Sequence, residues 1–329
     1  MSLQKIKKIG ILGAGAFGTA LAILYSKKFN VSLFSCFDDH VESMKKNRIN
    51  EFFQEFKIPE NIEILNTKNF DGKNFDCILW VFPIKPTPEI LNNLKQKIDG
   101  TPLIICSKGL LSDGTFVFDL FKKELPNSKI GYLSGPNFAI ELADEKKISA
   151  ADLAFENIDD SKKISNFLST DSYKLNPIDD IIGIQICGAI KNIIAIGCGI
   201  ENGLNLGQNT HAALLSLSLN EMKNFGLKLG AKIETFYGFC GLGDLVLTAS
   251  SQNSRNVMMG QKIANGESVE SIISNSKAVC EGYETASQII DLAKKNNVKI
   301  PFCENIYKIL FENANPETIL EIFTDCSNF

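Results

Sequence analysis

The chain has 329 residues, 44% of them hydrophobic and 22% charged, with a formal net charge of −4. That composition excludes a disordered chain and a strongly basic nucleic-acid-binding surface, and the length suggests two domains rather than one compact core. Nine cysteines scattered through apolar stretches, with two widely separated histidines (His40 and His211), exclude a disulfide framework and offer no metal-site spacing.

The basic start "MSLQKIKK" leads into a strand and a glycine turn rather than a signal peptide, and the longest apolar run, "IIAIGCGI", is too short to span a bilayer. The expected setting is the cytoplasm, with no membrane span and no nucleic-acid partner.

In chain order, the first half alternates β-rich runs with helical patterns. Strands are expected over 8–13, 30–35, 76–83, 102–107 and 130–134, with weaker ones over 148–156 and 172–176. Several are apolar on both faces, as strands are when buried in a parallel sheet between helix layers. Helices are expected over 16–28, 86–98 and 116–124. This alternation argues for a doubly wound, Rossmann-type α/β domain. Near Asn176-Pro177 the pattern changes, and helices are expected over 180–202, 210–229, 253–264, 267–274, 281–296 and 303–311. The expected domains are therefore 1–177, binding a dinucleotide, and 178–329, all-α and binding substrate.

"GAGAFG" follows the first strand and opens the first helix, fitting G-x-G-x-x-G. Gly13 makes the tight turn, Gly15 admits a pyrophosphate against bare backbone, and Gly18 lets helix and strand pack closely. The helix N-terminus then offers unpaired N–H groups and a positive dipole to the phosphates. A tight connection with no ligand is the blander alternative. The second strand ends "LFSCFDD", where an acidic residue favours NAD and a basic one NADP. Cys36 and Phe37 do neither, so either cofactor is open. The reading leans to NAD(H), because Asp38 and Asp39 lie close enough to repel a 2′-phosphate, although Lys45, Lys46 or Arg48 could meet one.

Further polar motifs stand at expected strand ends, the ligand edge of such a sheet. "CSKGL" places Lys108 there, and "SGPNFAIEL" places Ser134, Gly135, Pro136 and Asn137. In the helical half, Lys191 sits in an almost wholly apolar helix, with Cys187, Gly188, Ala195 and Cys198 at neighbour spacing. It either snorkels to water or is a desolvated lysine poised to exchange a proton near neutrality. "SQNSRNVMMGQ" puts Ser254, Arg255 and Asn256 at a helix start, where their donors can converge on a phosphate. Ser254 or Asn253 could serve simply as an N-cap, but that leaves Arg255 as a cation at the positive end of the dipole.

Taken together, "GAGAFGTALA", "SKGL", "SGPNFAIEL", "GIQICGAIKNIIAIGCGIENG", "GLGDLVLT", "SRN" and "CEGYET" resemble, end to end, the bacterial NAD(P)-dependent glycerol-3-phosphate dehydrogenases. The resemblance implies a Rossmann domain, a helical substrate domain and reversible reduction of dihydroxyacetone phosphate to sn-glycerol 3-phosphate, feeding phospholipid synthesis. By position it implies that Lys191 is the catalytic proton acceptor. Lys108, Gly135, Asn137, Asp244, Ser254, Arg255 and Asn256 match its substrate-binding positions. Ala16, Phe17, Lys108, Ala139, Arg255, Val279 and Glu281 match its cofactor contacts, beside the three turn glycines. Phe17 replaces a more usual Trp or Tyr, Cys36 a basic residue, and His211 and Leu217 frequent arginines.

The expected chemistry has the nicotinamide carry the hydride and Lys191 the proton, with Lys108 beside the developing alkoxide. Asp244 orients Lys191 or a substrate hydroxyl, and Arg255 anchors the phosphate. Two alternatives are a dehydrogenase of a β-hydroxyacid or ketopantoate, and a non-catalytic dinucleotide-binding redox sensor. The latter gives no reason for Lys191 in an apolar helix. A homodimer is the assembly left open.

Overall fold

The computed structural model describes residues 6–252, 254–275 and 280–324. They form two compact units, the first from residues up to Ser107 together with Phe116–Ile181, the second from Lys108–Thr115 together with residues from Ile182 onward.

The first unit is built on an eight-stranded sheet. Its strands are β1 (Lys8–Leu12), β2 (Asn30–Ser35), β5 (Ile62–Asn66), β6 (Cys77–Trp80), β7 (Leu103–Ile105), β8 (Ile130–Ser134), β9 (Ser149–Phe155) and β10 (Tyr173–Ile178). A two-stranded ribbon, β3 (Ile49–Asn50) with β4 (Phe53–Lys57), lies outside it. Strand order is β10-β9-β8-β7-β6-β1-β2-β5. Every pair is parallel except β8 with β9, so β9 and β10 run against the rest. The sheet is thus mixed at one edge, where the apolar pattern predicts a parallel strand. Periodicity reports burial on both faces but carries no information on strand direction.

Helices α1 (Ala16–Tyr25), α2 (Asp38–Asn47), α3 (Thr87–Ile98), α4 (Val117–Glu124), α5 (Ala139–Ala143) and α6 (Ile158–Leu168) complete this unit. Alternate strand residues sort to opposite faces. Ile9, Ile11, Leu33, Cys77 and Leu79 join Leu21 and Leu24 of α1 and Ile164 of α6 in one core. On the other face, Trp80 packs edge-on against Phe121 of α4 at 4.9 Å and donates its indole N–H to Thr87 of α3 at 3.1 Å. The sequence reading overlooks β3, β4 and β5 and helix α6. The ribbon is too short and too polar for a period-2 signal, and the α6 run "IDDSKKISNFL" buries only one narrow stripe.

The second unit is helical: α7 (Ile181–Gly203), α8 (Gln208–Lys228), α9 (Ile233–Phe236), a π-helical turn (Phe239–Gly243), α10 (Asp244–Ser250), α11 (Arg255–Ala264), α12 (Val269–Ser274), α13 (Glu281–Lys295) and α14 (Pro301–Phe311). At 23 residues α7 is long and apolar enough to cross a membrane by length and composition, which the run "IIAIGCGI" alone does not suggest. However, 94% of its most apolar window is buried inside the protein, which makes it the core helix of this unit.

α7 and α11 meet backbone to backbone. A Cβ on Gly199 would collide with the carbonyl of Val257, and one on Gly260 with the carbonyl of Ile196. Backbone atoms give way less readily than a side-chain tip, so this crossing sets the position of α11. Gly260→Ala is therefore expected to destabilise the protein by about 3 kcal/mol, the scale of an overpacked core, read as a lower denaturant midpoint with unchanged slope.

Candidate active site

Three sequence-predicted residues converge within the second unit. Asp244 begins α10, directly after the π turn, a helix irregularity frequent at functional sites. Its Oδ1 accepts from Lys191 Nζ at 2.6 Å and its Oδ2 from Lys108 Nζ at 2.6 Å. Thr248, four residues on and so on the same helix face, accepts a second bond from Lys191 Nζ at 2.9 Å. Asp244 is 1% exposed and Lys191 6%, so the lysine does not snorkel to water. Over Gly188, one of the small residues near Lys191 on α7, the aliphatic stem of Lys108 lies at van der Waals distance.

Two ammonium groups facing one carboxylate titrate unequally. Burial pushes Lys191 down to about 8; Asp244 opposes this, and the neighbouring Lys108 charge adds to it. Burial acts on Lys108 too, but Asp244 outweighs it and leaves that ammonium above its ordinary value. Burial alone would raise Asp244, yet Lys108 and then Lys191 hold it below the usual carboxylate range. At neutral pH the cluster is a fixed carboxylate, a tightly held ammonium and a loosely held one.

A second hydrogen-bonded run lies beside it. Asn192, next to Lys191, donates to Glu281 Oε2 at 3.0 Å and accepts from Asn256 Nδ2 at 3.0 Å. Asn256 Oδ1 in turn accepts from Gly282 N at 3.1 Å and Cys280 Sγ at 2.9 Å. Ser254 is the N-cap of α11, its Oγ accepting from Val257 N at 3.4 Å. Arg255 follows as the first helical residue and is exposed. Asn253 and Val279 lie outside the described residues. Thr248 and Asn192 are missing from the sequence prediction, although their spacing from Asp244 and Lys191 was signal enough. His211 is engaged with Glu201 at 2.9 Å and Ser250 at 3.3 Å, supplying a partner to a buried carboxylate, and Leu217 is half-buried.

The remaining predicted residues belong to the first unit. Gly13 has φ +117°, a conformation that disfavours side chains, and a Cβ there would come within 2.8 Å of the Val81 backbone. A Cβ on Gly18 would collide with the Gly13 carbonyl, so helix and strand touch at that point. Gly15 is different: it is exposed, nothing lies within 4 Å of where its Cβ would be, and it N-caps α1 without a side-chain cap. The first-turn N–H groups, at Ala16 and Phe17, have no carbonyl of their own helix to meet, and Gly15 sets no side chain before them. An open cradle bounded by two sterically required glycines fits a dinucleotide pyrophosphate.

At the carboxyl end of β8, the Ser134 hydroxyl and Asn137 Oδ1 are buried with no hydrogen-bond partner, while Asn137 Nδ2 donates to the Tyr173 hydroxyl at 3.1 Å. Gly135 packs against the Ala151 backbone, and Ala139 begins α5 against the core shared with α1. At the β2 tip, Phe37 is 71% exposed. Asp38 accepts from Asn66 at 2.6 Å and pairs with Lys68 at 2.6 Å, a cation brought to the tip from 30 residues away. Arg48 lies at the far end of α2, held by Glu60 and the Ile62 carbonyl.

Residues 8–160 match the family model described as NAD-dependent glycerol-3-phosphate dehydrogenase N-terminus, and residues 180–321 that of its C-terminus. A glycerol-3-phosphate dehydrogenase [NAD(P)+] of Wolbachia pipientis is 37% identical, covering 96% of this chain and 99% of that protein. One from Leptospira biflexa is 34% identical over 95% and 96% of the two chains. The crystal structure of glycerol-3-phosphate dehydrogenase from Coxiella burnetii is 32% identical, with a TM-score of 0.91 over 98% of this chain and all of that one. With both halves matched and the lysine–aspartate cluster in place, the chain belongs to the NAD-dependent glycerol-3-phosphate dehydrogenase family.

Proposed function

We propose that the protein catalyses reversible hydride transfer between NAD(P)H and dihydroxyacetone phosphate, giving sn-glycerol 3-phosphate for glycerophospholipid synthesis. The observation that carries the reading is the buried Lys191–Asp244–Lys108 cluster, in which one lysine is brought near neutrality while its neighbour keeps its charge. Neither the β-hydroxyacid or ketopantoate alternative nor the redox sensor draws support from the family match.

When bound, the dinucleotide supplies or accepts the hydride. The open turn at Gly13, Gly15, Ala16, Phe17 and Gly18 would hold its pyrophosphate; Lys108, Ala139, Arg255, Val279 and Glu281 are its further proposed contacts. In the reduction, the Lys191 ammonium gives a proton to the substrate's carbonyl oxygen and is left as a neutral amine, which regains a proton from water. In the oxidation, the amine takes the hydroxyl proton. Lys108 keeps its charge throughout and stabilises negative charge developing on the oxygen. Asp244 stays ionised and aims both lysines. Arg255, Ser254, Asn256 and the α11 N-terminus hold the phosphate, remote from the reacting carbon, and Gly135 and Asn137 complete the substrate set.

The proposed location is the cytoplasm, supported by free thiols buried along the core. The proposed assembly is a homodimer, supported by exposed apolar side chains at Phe239 and Leu242 of the π turn and Val246 of α10.

The direct test follows NADH and NADPH oxidation with dihydroxyacetone phosphate, ketopantoate and a β-ketoacid in parallel; turnover is expected with the first alone. Because reduction consumes a proton held with a pKa of about 8, kcat/KM for reduction is expected to fall as pH rises through that value, and that for oxidation to rise. Lys191→Met keeps the apolar stem, removes the ammonium, and is expected to lower kcat by about 10²-fold or more with cofactor affinity little changed.

Arg255→Ala is expected to raise KM for dihydroxyacetone phosphate steeply and to lower kcat, since remote binding energy also aligns the carbonyl. Unphosphorylated dihydroxyacetone should be nearly indifferent to the change. An equal loss on both substrates would assign Arg255 to the fold or the cofactor instead.

For the cofactor, NAD and NADP both remain substrates of this reading. The lean to NAD(H) from the acidic strand tip is tempered, because Lys68 neutralises Asp38. Cys36→Arg is expected to shift kcat/KM toward NADPH, measured as the ratio for the two cofactors at fixed substrate.

A further inference from the structure

Two buried polar side chains of the first unit form a run that reaches the glycine turn. His40 on α2 and Asn50 on β3 are 7% and 0% exposed. Asn50 Nδ2 donates to the Ala14 carbonyl at 3.0 Å and to Thr19 Oγ1 at 2.6 Å. Its Oδ1 accepts from Phe52 N at 2.9 Å and lies 3.0 Å from His40 Nε2. His40 Nδ1 lies 3.0 Å from Ser35 Oγ, which accepts from Phe37 N at 3.3 Å. One end of this chain is the glycine turn and the other is the tip of β2.

Chemistry gives the chain a direction. A backbone carbonyl only accepts, so Asn50 must turn its NH₂ toward Ala14. A backbone N–H only donates, so Oδ1 must face Phe52. These two constraints select the same amide orientation independently. Oδ1 carries no proton, so His40 Nε2 must carry one. In the neutral ring Nδ1 is then an acceptor, filled by the Ser35 hydroxyl, whose oxygen is left to receive Phe37 N–H. Asn50, His40 and Ser35 each donate and accept once or more, in one consistent direction.

The consequence falls on the turn. In a trans peptide the C=O and the next N–H point in opposite directions, and this chain has no cis peptide among its described residues. Pulling the Ala14 carbonyl inward onto Asn50 therefore turns the Gly15 N–H the opposite way, away from the Asn50 amide. We propose that His40 and Asn50 are positioning residues for the dinucleotide. His40, as its Nε2–H tautomer, ties the β2 tip, where the adenosine ribose is read, to the turn whose N–H groups receive the pyrophosphate. This rests on the dinucleotide reading given under Proposed function.

The test measures NADH and NADPH dissociation constants on the full chain by cofactor fluorescence and calorimetry, beside steady-state kinetics. Asn50→Asp is nearly isosteric and still accepts from His40 and Phe52, but it sets an oxygen against the Ala14 carbonyl. It is expected to weaken NADH binding about tenfold or more, the scale of one buried hydrogen bond lost, with cofactor KM rising far more than kcat falls. His40→Leu is expected to weaken it comparably, whereas His40→Gln, which can still donate to Asn50, should stay within about threefold of wild type. If Asn50→Asp fails to fold, the two His40 variants decide.

Because the chain has two histidines, ring ¹⁵N spectra of the wild type, assigned through His40→Gln, read the tautomer directly. Protonation at Nε2 is expected; protonation at Nδ1 alone would overturn the proposal. So would wild-type NADH affinity in both Asn50→Asp and His40→Leu, or losses shared equally by kcat and both KM values. A wild-type chain that binds neither dinucleotide would instead remove the dinucleotide reading, and this proposal with it.

Discussion

Two ammonium groups, Lys108 and Lys191, share the single carboxylate of Asp244 at 2.6 Å each, inside a cluster that is almost wholly out of water. Taking an ion from water into a protein interior costs several kcal/mol even after relaxation, and an uncompensated buried charge is costlier still. One carboxylate cannot fully compensate two cations, so one proton is held less firmly. The deeper lysine, with its side chain 7% exposed against 17% for Lys108, is the one that yields. The excess of positive charge is therefore not a defect of packing. Burial first, and the Lys108 charge beside it, let a lysine that is ordinarily protonated throughout the physiological range exchange a proton near pH 8.

The helical architecture of the second unit couples this centre to the proposed phosphate-binding residues. Adjacent residues on an α-helix project about 100° apart. Lys191 therefore reaches Asp244 while Asn192, its neighbour, reaches Glu281 and Asn256. The partner helix α11 is held against α7 by backbone contact at Gly199 and Gly260, which places Asn256 without a flexible intermediary. A shift of α11 thus moves the proposed phosphate-binding residues and the hydrogen bond to Asn192 together. In the first unit the same economy holds on a smaller scale: Gly13 and Gly18 fix the turn by sterics, and Asn50 fixes the orientation of one peptide within it.

Much of this was legible in the residues themselves. The alternation of apolar runs and helices reports two layers around a sheet, because burial on both faces leaves a continuous hydrophobic signature. The glycine turn declares itself through the cost of placing three glycines where a strand ordinarily passes to a helix. Lys191 stands out because a charge in an apolar helix needs a reason. Less legible were the ribbon strands β3 and β4, too short or too polar to show a period, and the reversal of β9 and β10. Cofactor preference was obscured because Lys68, which meets Asp38 at the strand tip, arrives from a distant turn.

By itself, the sequence determined which chemical groups exist and what local structure carries them: a glycine turn opening a helix, a lysine in a buried helix, a serine and an arginine at a helix start. These follow from backbone sterics, propensity and periodicity, which act over a few residues. Only the tertiary structure decided which of those groups meet. Lys108 and Asp244 are 136 residues apart and Lys191 and Asp244 are 53 apart, so no local pattern relates them. The unequal hold on two protons arises from burial and charge proximity, which are properties of the folded arrangement and of no residue alone.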